Sequence, residues 1–368
     1  MAAGSFASLR ENVKYYQENN YAQLIRTIDL KNNFTNSDFV YVDEVAYDFL
    51  WRVQLKEPNI VLPNIGANIG EKYYVKPQDL PKNKNVLGPN AILLRSKCND
   101  THFVYFRLST SSYDNEMKKL VGASGQPKFN KTDLKKVSLF MPSLIEQKRI
   151  AYFLALLEER IATQNKIIED LKKLKSALAD KLYSSTKGET YSFRQLFDVV
   201  NERNKKLTYS NVLSASQELG MIERSDINID IKFEQDSISK YKIVRRGDYV
   251  VHLRSFQGGF AFSDRTGICS PAYTILRPHD MVVYGYLSYF FTSKPFIKSL
   301  KLVTYGIRDG RSINVEEWLD MTVTLPTKRE QSHILAIINA IDNKLHNENQ
   351  IHNYMFRQRT YLLKTMFI

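Results

Sequence analysis

Residues 139–154 read LFMPSLIEQKRIAYFL, and residues 323–338 read VTLPTKREQSHILAII. Each stretch passes from a proline through Glu-Gln into an apolar-periodic run. Pro142 and Pro326 stand 184 residues apart, and the same offset lays Glu146 on Glu330, Gln147 on Gln331 and Ile150 on Ile334. It continues to the chain end, where Leu178 meets Leu362 and Tyr183 meets Phe367. Upstream it pairs Asn130 with Asn314, Gly122 with Gly306, Tyr105 with Tyr289 and Phe106 with Phe290. At an offset of 182, GPNAILLRS lies over SPAYTILRP, which pairs Pro89 with Pro271 and Arg95 with Arg277. The chain therefore writes one unit twice: a globular part, then a long helix.

The helices are read from their seams. Ile150, Leu154, Leu157, Ile161, Gln164, Ile168, Leu171, Lys175, Leu178 and Leu182 alternate spacings of four and three, the heptad rhythm. The second copy gives Ile334, Ile338, Ile341, Leu345, Glu348, His352, Met355, Arg359, Leu362 and Met366. Polar interruptions fall at matching places, Gln164 with Glu348 and Lys175 with Arg359, where they would fix register at a cost in stability. Pro142 and Pro326 suit the start of a helix, where a missing N–H costs little. Ser143 or Thr327 can then cap, with Glu146 or Glu330 three residues later, the capping-box spacing. Helix initiation leaves the following glutamine without a role, which points to a contact with the neighbouring domain or a partner. About 40 residues of helix span roughly 60 Å. Paired antiparallel, two such helices would bury their seams against each other and put the globular parts at opposite ends of a rod.

The expected fold is mixed α/β: two globular domains held apart by an antiparallel two-helix coiled coil, with a pseudo-two-fold internal repeat. The expected boundaries are residues 1–141, a spacer helix over 142–187, a second domain over 188–325 and a second spacer helix over 326–368. NIVLPNIG and DYVVHLRSF read as strand then loop, and YKIVRRGDYVV as strand, turn at Gly247-Asp248, strand. FVYFRLSTSSYDNEMKKL and YGYLSYFFTSKPFIKSL read as apolar helices, and SSTKGET as the linker between units.

A formal charge of +13 favours a polyanionic partner, nucleic acid foremost. The excess is spread: 19 basic against 14 acidic residues up to Met141, 9 against 6 in the first helix, 18 against 16 in the second globular part, 6 against 3 in the last helix. Binding must then come from local arrangement and not from a charged tail. Two loops in each globular part have the chemistry. The first part offers Asn64, Asn68, Lys72 and Tyr73, then Ser124, Gln126, Lys128 and Lys131. The second offers Arg254, Ser255 and Gln257 beside Gly258-Gly259, then Arg308, Arg311, Ser312 and Asn314 around Gly310. Arginine makes bidentate contacts to guanine, Asn and Gln to adenine, and glycine lets backbone approach phosphate.

Catalytic signatures are missing from the sequence. No two prolines adjoin, so the Asn/Asp-Pro-Pro-Tyr/Phe motif of amino-methyltransferases is absent; no Gly-x-Gly and no Gly-Lys occurs, which excludes a glycine-rich nucleotide loop and a Walker phosphate loop. Cys98 and Cys269 are far apart and hold no metal-ligand spacing, consistent with inert thiols in a reducing cytosol. Of the six histidines, His346 and His352 fall on the last helix, solvated or lining the seam. No apolar run is long enough to cross a bilayer, and the N-terminus lacks a signal-peptide pattern. The chain is expected to be a cytoplasmic, non-catalytic protein without cofactor or metal.

Taken together, Pro-x-x-x-Glu-Gln at the head of a long helix, twice, each time behind a globular unit and a Gly…Asn…(Asp/Glu)-Leu segment, resembles the specificity subunit of type I restriction-modification enzymes. The resemblance covers nearly the whole chain. It implies that the two globular units are target recognition domains, each reading half of a split double-stranded DNA sequence, with the helices as the spacer. It also implies two modification (methyltransferase) subunits and two restriction (motor-nuclease) subunits as partners. The unlike loops RDGRS and ASGQPK imply an asymmetric target. The competing expectation is a coiled-coil interaction scaffold that does not read DNA.

Overall fold

The computed structural model describes residues 12–36, 38–66, 68–121, 128–216, 219–226, 235–252, 259–305 and 312–367. The chain divides into two units, one of residues 1–164 with 351–368 and one of residues 165–350. Each unit thus holds one globular part, a piece of one long helix and a piece of the other.

The first unit contains β1 (Ala22–Ile25), α1 (Thr27–Lys31), β2 (Val40–Val42), α2 (Glu44–Phe49), β3 (Asn59–Pro63), β4 (Tyr73–Val75), β5 (Asn85–Leu87) and β6 (Ala91–Leu94). After them come α3 (Thr101–Leu108), α4 (Ser111–Val121) and α5 (Lys131–Leu134). The strands make two small sheets, β2-β1-β5 and β4-β3-β6. In the first, β1 runs antiparallel to β2 and parallel to β5; the second is antiparallel throughout. NIVLP forms the central strand β3 and is buried along its whole length, as expected for an apolar run between two neighbours. The apolar stretch read as one helix is two, α3 and α4, separated by Ser109-Thr110. Thr110 accepts from Arg107 Nη1 at 3.2 Å and donates to the Arg107 carbonyl at 2.9 Å, which turns the chain there.

The second unit opens after the linker with β7 (Glu189–Ser192), and β8 (Phe197–Val200), β9 (Leu213–Ser216), β10 (Gly220–Glu223), β11 (Lys242–Val244), β12 (Tyr249–Val251), β13 (Phe260–Phe262), β14 (Gly267–Cys269) and β15 (Thr274–Pro278) follow. β16 (Thr304–Tyr305), β17 (Ser312–Ile313) and β18 (Thr322–Leu325) complete its strands. The main sheet is β13-β12-β15-β8, with smaller pairs β10-β9, β11-β14, β16-β17 and β18-β7. Residues 242–251 do form strand, turn, strand, but the two strands are not a hairpin: β11 pairs with β14, and β12 with β13 and β15. Asp248 explains the divergence. Its buried carboxylate accepts from the Arg245 N–H at 2.8 Å and from Arg277 of β15 at 2.9 Å twice, drawing β12 toward β15. The core is aromatic: Phe193 stacks on Trp318 at 4.3 Å, with Phe197, Phe260, Phe291 and Phe296 around them.

The two repeat signatures each begin a helix: α6 (Leu144–Ser184, 41 residues) and, after four short helices α7 (Phe193–Leu196), α8 (Tyr286–Phe290), α9 (Lys294–Ser299) and α10 (Val315–Asp320), the helix α11 (Lys328–Thr365, 38 residues). The second apolar stretch is again split, into α8 and α9, where Ser293 caps and Pro295 occupies the first turn. Every seam residue named from the heptad rhythm is buried or half-buried, including the polar Gln164 and Glu348. The helices pair antiparallel in both units. In the first, Ala151 and Leu154 pack with Leu363 and Phe367, and farther along Glu158 meets Arg359. In the second, Ala179 and Leu182 pack with Ile334 and Ile338, while Lys175 meets Asp342. Equivalent residues do equivalent work: Leu154 and Ile338, 1% and 0% exposed, pack against α3 and α8 of their own units. Burying such a side chain contributes about 1.5–3 kcal/mol.

β18 runs straight into α11 and pairs with β7, the strand that follows α6. Gly188 is needed at this junction, because a Cβ there would stand 2.2 Å from the Leu325 carbonyl oxygen.

Candidate nucleic-acid interface

In the first unit the two nominated loops are brought together. Ile65 and Lys128 form an antiparallel bridge, the Phe129 N–H donates to the Asn64 carbonyl at 3.1 Å, and Asn64 Nδ2 donates to the Phe129 carbonyl at 3.1 Å. Gly66 and Gly70 hold φ of +89° and +93°, a conformation that turns the loop at little cost only with glycine. Asn64 Oδ1 is buried with no hydrogen-bond partner among the described residues. Lys128 and Lys131 are exposed beside this junction. Asn130 between them caps α5 by accepting from the Thr132 and Asp133 N–H groups, and its repeat mate Asn314 caps α10 by accepting from the Glu317 N–H. The repeat thus extends to the local geometry of the loop ends.

The other nominated residues of this unit are tied internally. Asn68 accepts from Lys31 at 3.0 Å, and Lys31 pairs with Glu71 at 2.9 Å. Lys72 is 11% exposed, pairs with Asp114 and lies 5.5 Å from the Tyr113 ring. Tyr73 donates to Glu71, and burial followed by that hydrogen bond raises its pKa. Lys72 and Tyr73 line a groove of about 800 Å³ shared with Tyr74, His102, Tyr105, Glu158 and Glu159. His102 stacks on Tyr74 at 4.0 Å, and burial lowers its pKa to about 4.

In the second unit Arg254, Ser255, Gln257, Arg308 and Arg311, like Ser124 and Gln126 of the first, lie outside the described residues. The residues beside them pair through their backbones. His252 donates to the Gly259 carbonyl at 2.7 Å next to the paired β12 and β13, and Tyr305 pairs with Ser312 across β16 and β17. Cys269 is buried, which pushes its thiol up to about 12, and Cys98 is exposed. Among the described residues no His, Cys, Asp and Glu cluster could hold a metal ion, and no helix is long and apolar enough to cross a membrane.

One feature of the first unit is a set of cations held over aromatic rings. Lys84 lies 3.6 Å from the Tyr21 ring centroid, Lys82 5.2 Å from Tyr41, Lys56 5.7 Å from Tyr47 and Arg52 4.9 Å from Trp51. The partners come from β2, α2 and the connections around them. Arg52 and Trp51 are neighbours in the chain, whereas the other three pairs join residues nine or more positions apart and required the fold. Cations held over rings combine charge for phosphate with flat apolar surface.

The glutamine of the repeated signature is also explained. Gln147 is 2% exposed; its Oε1 accepts from the Asp100 N–H at 2.9 Å, and its Nε2 donates to Asn99 Oδ1 and to the Pro142 carbonyl, both at 2.8 Å. Gln331 is 1% exposed; its Oε1 accepts from the Val283 N–H at 2.8 Å, and its Nε2 donates to the Met281 and Pro326 carbonyls, both at 2.9 Å. Each glutamine fastens the first turn of a long helix to the globular part before it. The expected contact with the neighbouring domain is formed. Thr327 and Glu330 make the reciprocal capping box, while in the first copy the Glu146 N–H reaches Ser143 Oγ at 3.4 Å.

Comparison with known proteins agrees with this arrangement. The family model described as type I restriction modification DNA specificity domain matches residues 9–173. The chain is 25% identical over 320 residues to the MjaVIII type I restriction enzyme specificity subunit of Methanocaldococcus jannaschii, covering 78% of this chain and 73% of that protein. It is 30% identical over 162 residues to the putative MjaX specificity subunit of the same organism, covering 42% of this chain and 37% of the relative. In fold it resembles the type I restriction-modification S subunit from M. genitalium, with a TM-score of 0.51 at 16% identity over 85% of this chain and 83% of that one. A chain solved in work on complex assembly and conformational transition of the type I R-M system aligns with a TM-score of 0.58 at 12% identity, over 96% and 91%. The duplicated helix signature, the globular units in front of it and these relatives agree: the chain is similar to the specificity subunits of type I restriction-modification systems, with the family model matching its residues 9–173.

Proposed function

We propose that this chain reads a bipartite, asymmetric DNA target, one half per globular unit, and brings modification and restriction subunits to it in the cytoplasm. Residues 1–141 and 188–325 act as the two target recognition domains, and residues 142–187 and 326–368 as the spacer helices. The observation that carries the reading is the doubled attachment: two dissimilar globular parts are fastened to equivalent helix starts by the same glutamine. A repeat kept in its fastening and varied in its loops suits two readers of different sequence.

In the first unit Asn64, Lys128 and Lys131 stand at the junction of the two loops, and Gln126 belongs to the same segment. Lys72, Tyr73 and Asn68 serve DNA only through their present partners or after leaving them. In the second, Arg254, Ser255, Gln257, Arg308, Arg311 and Ser312 are the proposed contacts. Exposed apolar side chains on the helices, among them Tyr152, Phe153 and Leu156 on α6 and Tyr354, Phe356 and Tyr361 on α11, offer surface for the partner subunits. Two modification and two restriction subunits fit a chain with two equivalent attachments.

The scaffold reading is separated by salt. Binding of cognate duplex by the complex with modification subunits should fall linearly with salt on logarithmic axes, with a slope set by phosphate contacts. Absence of sequence preference at every salt concentration would leave only the scaffold.

A further inference from the structure

The attachment of each globular part has a second point. Eleven residues beyond Gln147 on α6 stands Glu158, and eleven beyond Gln331 on α11 stands Asp342. Both carboxylates take a cation from the other long helix: Glu158 from Arg359 at 2.7 Å, Asp342 from Lys175 at 2.5 Å. Glu158 and Asp342 are repeat mates, as are Lys175 and Arg359. Each pair also meets a tyrosine from the globular part. Tyr289 of α8 donates to Asn339 at 2.9 Å and to Asp342, with Lys175 4.7 Å from its ring centroid. Tyr105 of α3, its repeat mate, is half-buried and lines one groove with Glu158, the carboxylate that Arg359 pairs with. At a rise of 1.5 Å per residue the glutamine and the tyrosine grip the helix about 16 Å apart.

One grip would leave a globular part free to pivot about the first helical turn. Two grips on one rigid helix fix its tilt, and the second is placed where both long helices meet. We infer that Gln147 with Tyr105, and Gln331 with Tyr289, are positioning residues that set how each recognition domain is presented to DNA, and so how strictly the gap between half-targets is enforced. This rests on the bipartite reading proposed above. None of the four needs to touch DNA; they act through the angle at which the reading loops are carried. The residues sort by mechanism: the reading loops decide which bases are accepted, and the grips decide at what separation.

The test uses the complex of this chain with its modification subunits and duplexes carrying the cognate target with the gap as found, one base pair shorter and one longer. Gln331→Met keeps the side-chain volume and removes the three hydrogen bonds; Tyr289→Phe keeps the ring and removes the hydroxyl. The readout is the ratio of affinities for correct and altered gaps, which a merely destabilised protein lowers in parallel and leaves unchanged. The expected result is a ratio reduced about tenfold, with the preferred bases of each half unaltered. A ratio unchanged in Tyr289→Phe and in any folded Gln331→Met overturns the inference; should Gln331→Met not fold, Tyr289→Phe decides alone. A wild-type complex that accepts all three gaps equally removes the bipartite reading itself, and this inference with it.

Discussion

Removing one heptad from each long helix tests whether the helices measure the gap. Residues 161–167 of α6 and 345–351 of α11 are suitable, since both lie between the two interhelix ion pairs. Leu157 is followed by Ile168 after the first deletion, a spacing of four, so the seam rhythm survives. Glu158–Arg359 and Lys175–Asp342 also survive, each with its own tyrosine. Seven residues rise about 10 Å, and base pairs follow each other at about 3.4 Å, so the axial change corresponds to about three base pairs. Seven residues turn a helix through nearly two full turns, with a drift of only ~20°, whereas three base pairs turn B-DNA through about 100°. The deletion therefore changes the rotation along each helix very little while the DNA faces rotate, and the best compromise is a gap shorter by on the order of one to three base pairs. Methylome sequencing of a host expressing the shortened chain with its modification subunits reads the new gap directly. Unchanged half-targets at an unchanged gap would refute the ruler.

Three further outcomes follow from named side chains. Leu154→Ala empties a site lined by Phe103, Phe106 and Phe367 and should cost about 2–5 kcal/mol, seen by calorimetry as a lower transition for the first unit; a loss under 1 kcal/mol would mean that the seam is not packed there. His102 has its pKa lowered by burial from 6.5 to about 4. The unfolded chain then binds the extra proton between those values, so stability is complete above pH 6.5 and declines as pH falls through that window. His102→Phe should flatten this decline in urea unfolding at pH 4.5 and 7, and an unaltered slope would assign it to other groups. Arg308→Ala or Arg311→Ala should relax base preference in one half-target only, at about 1–3 kcal/mol for a lost base contact; preference unchanged in both halves would make them surface arginines.

Periodicity carried most of what the sequence disclosed. Helix seams are set by spacing along one chain segment, so Ile150 through Leu182 and Ile334 through Met366 could be read without knowing what they pack against. The capping residues Ser143 and Thr327 were legible for the same reason, because they act on N–H groups within three residues. The glutamines were visible as a question only. Gln331 bonds Met281 and Val283, about fifty residues upstream, and no local rule connects them. The strand, turn and strand of residues 242–251 were legible, but the partners of the two strands were not, because Asp248 is held by Arg277 on a different strand. Lys72 looked free for DNA in a loop rich in Asn and Gly, yet Asp114, 42 residues later, holds it. A charge in a sequence does not show its partner. The cation–aromatic pairs likewise draw on residues from four places in the chain.

The central claim, that each globular unit reads its own half of a split target, is tested most directly by exchanging residues 188–325 for the corresponding part of another specificity subunit and sequencing the methylome of a host carrying the hybrid with its modification subunits. The account predicts that one half of the methylated sequence changes and the other half remains. A hybrid that methylates with both halves altered, or with neither altered, would contradict it.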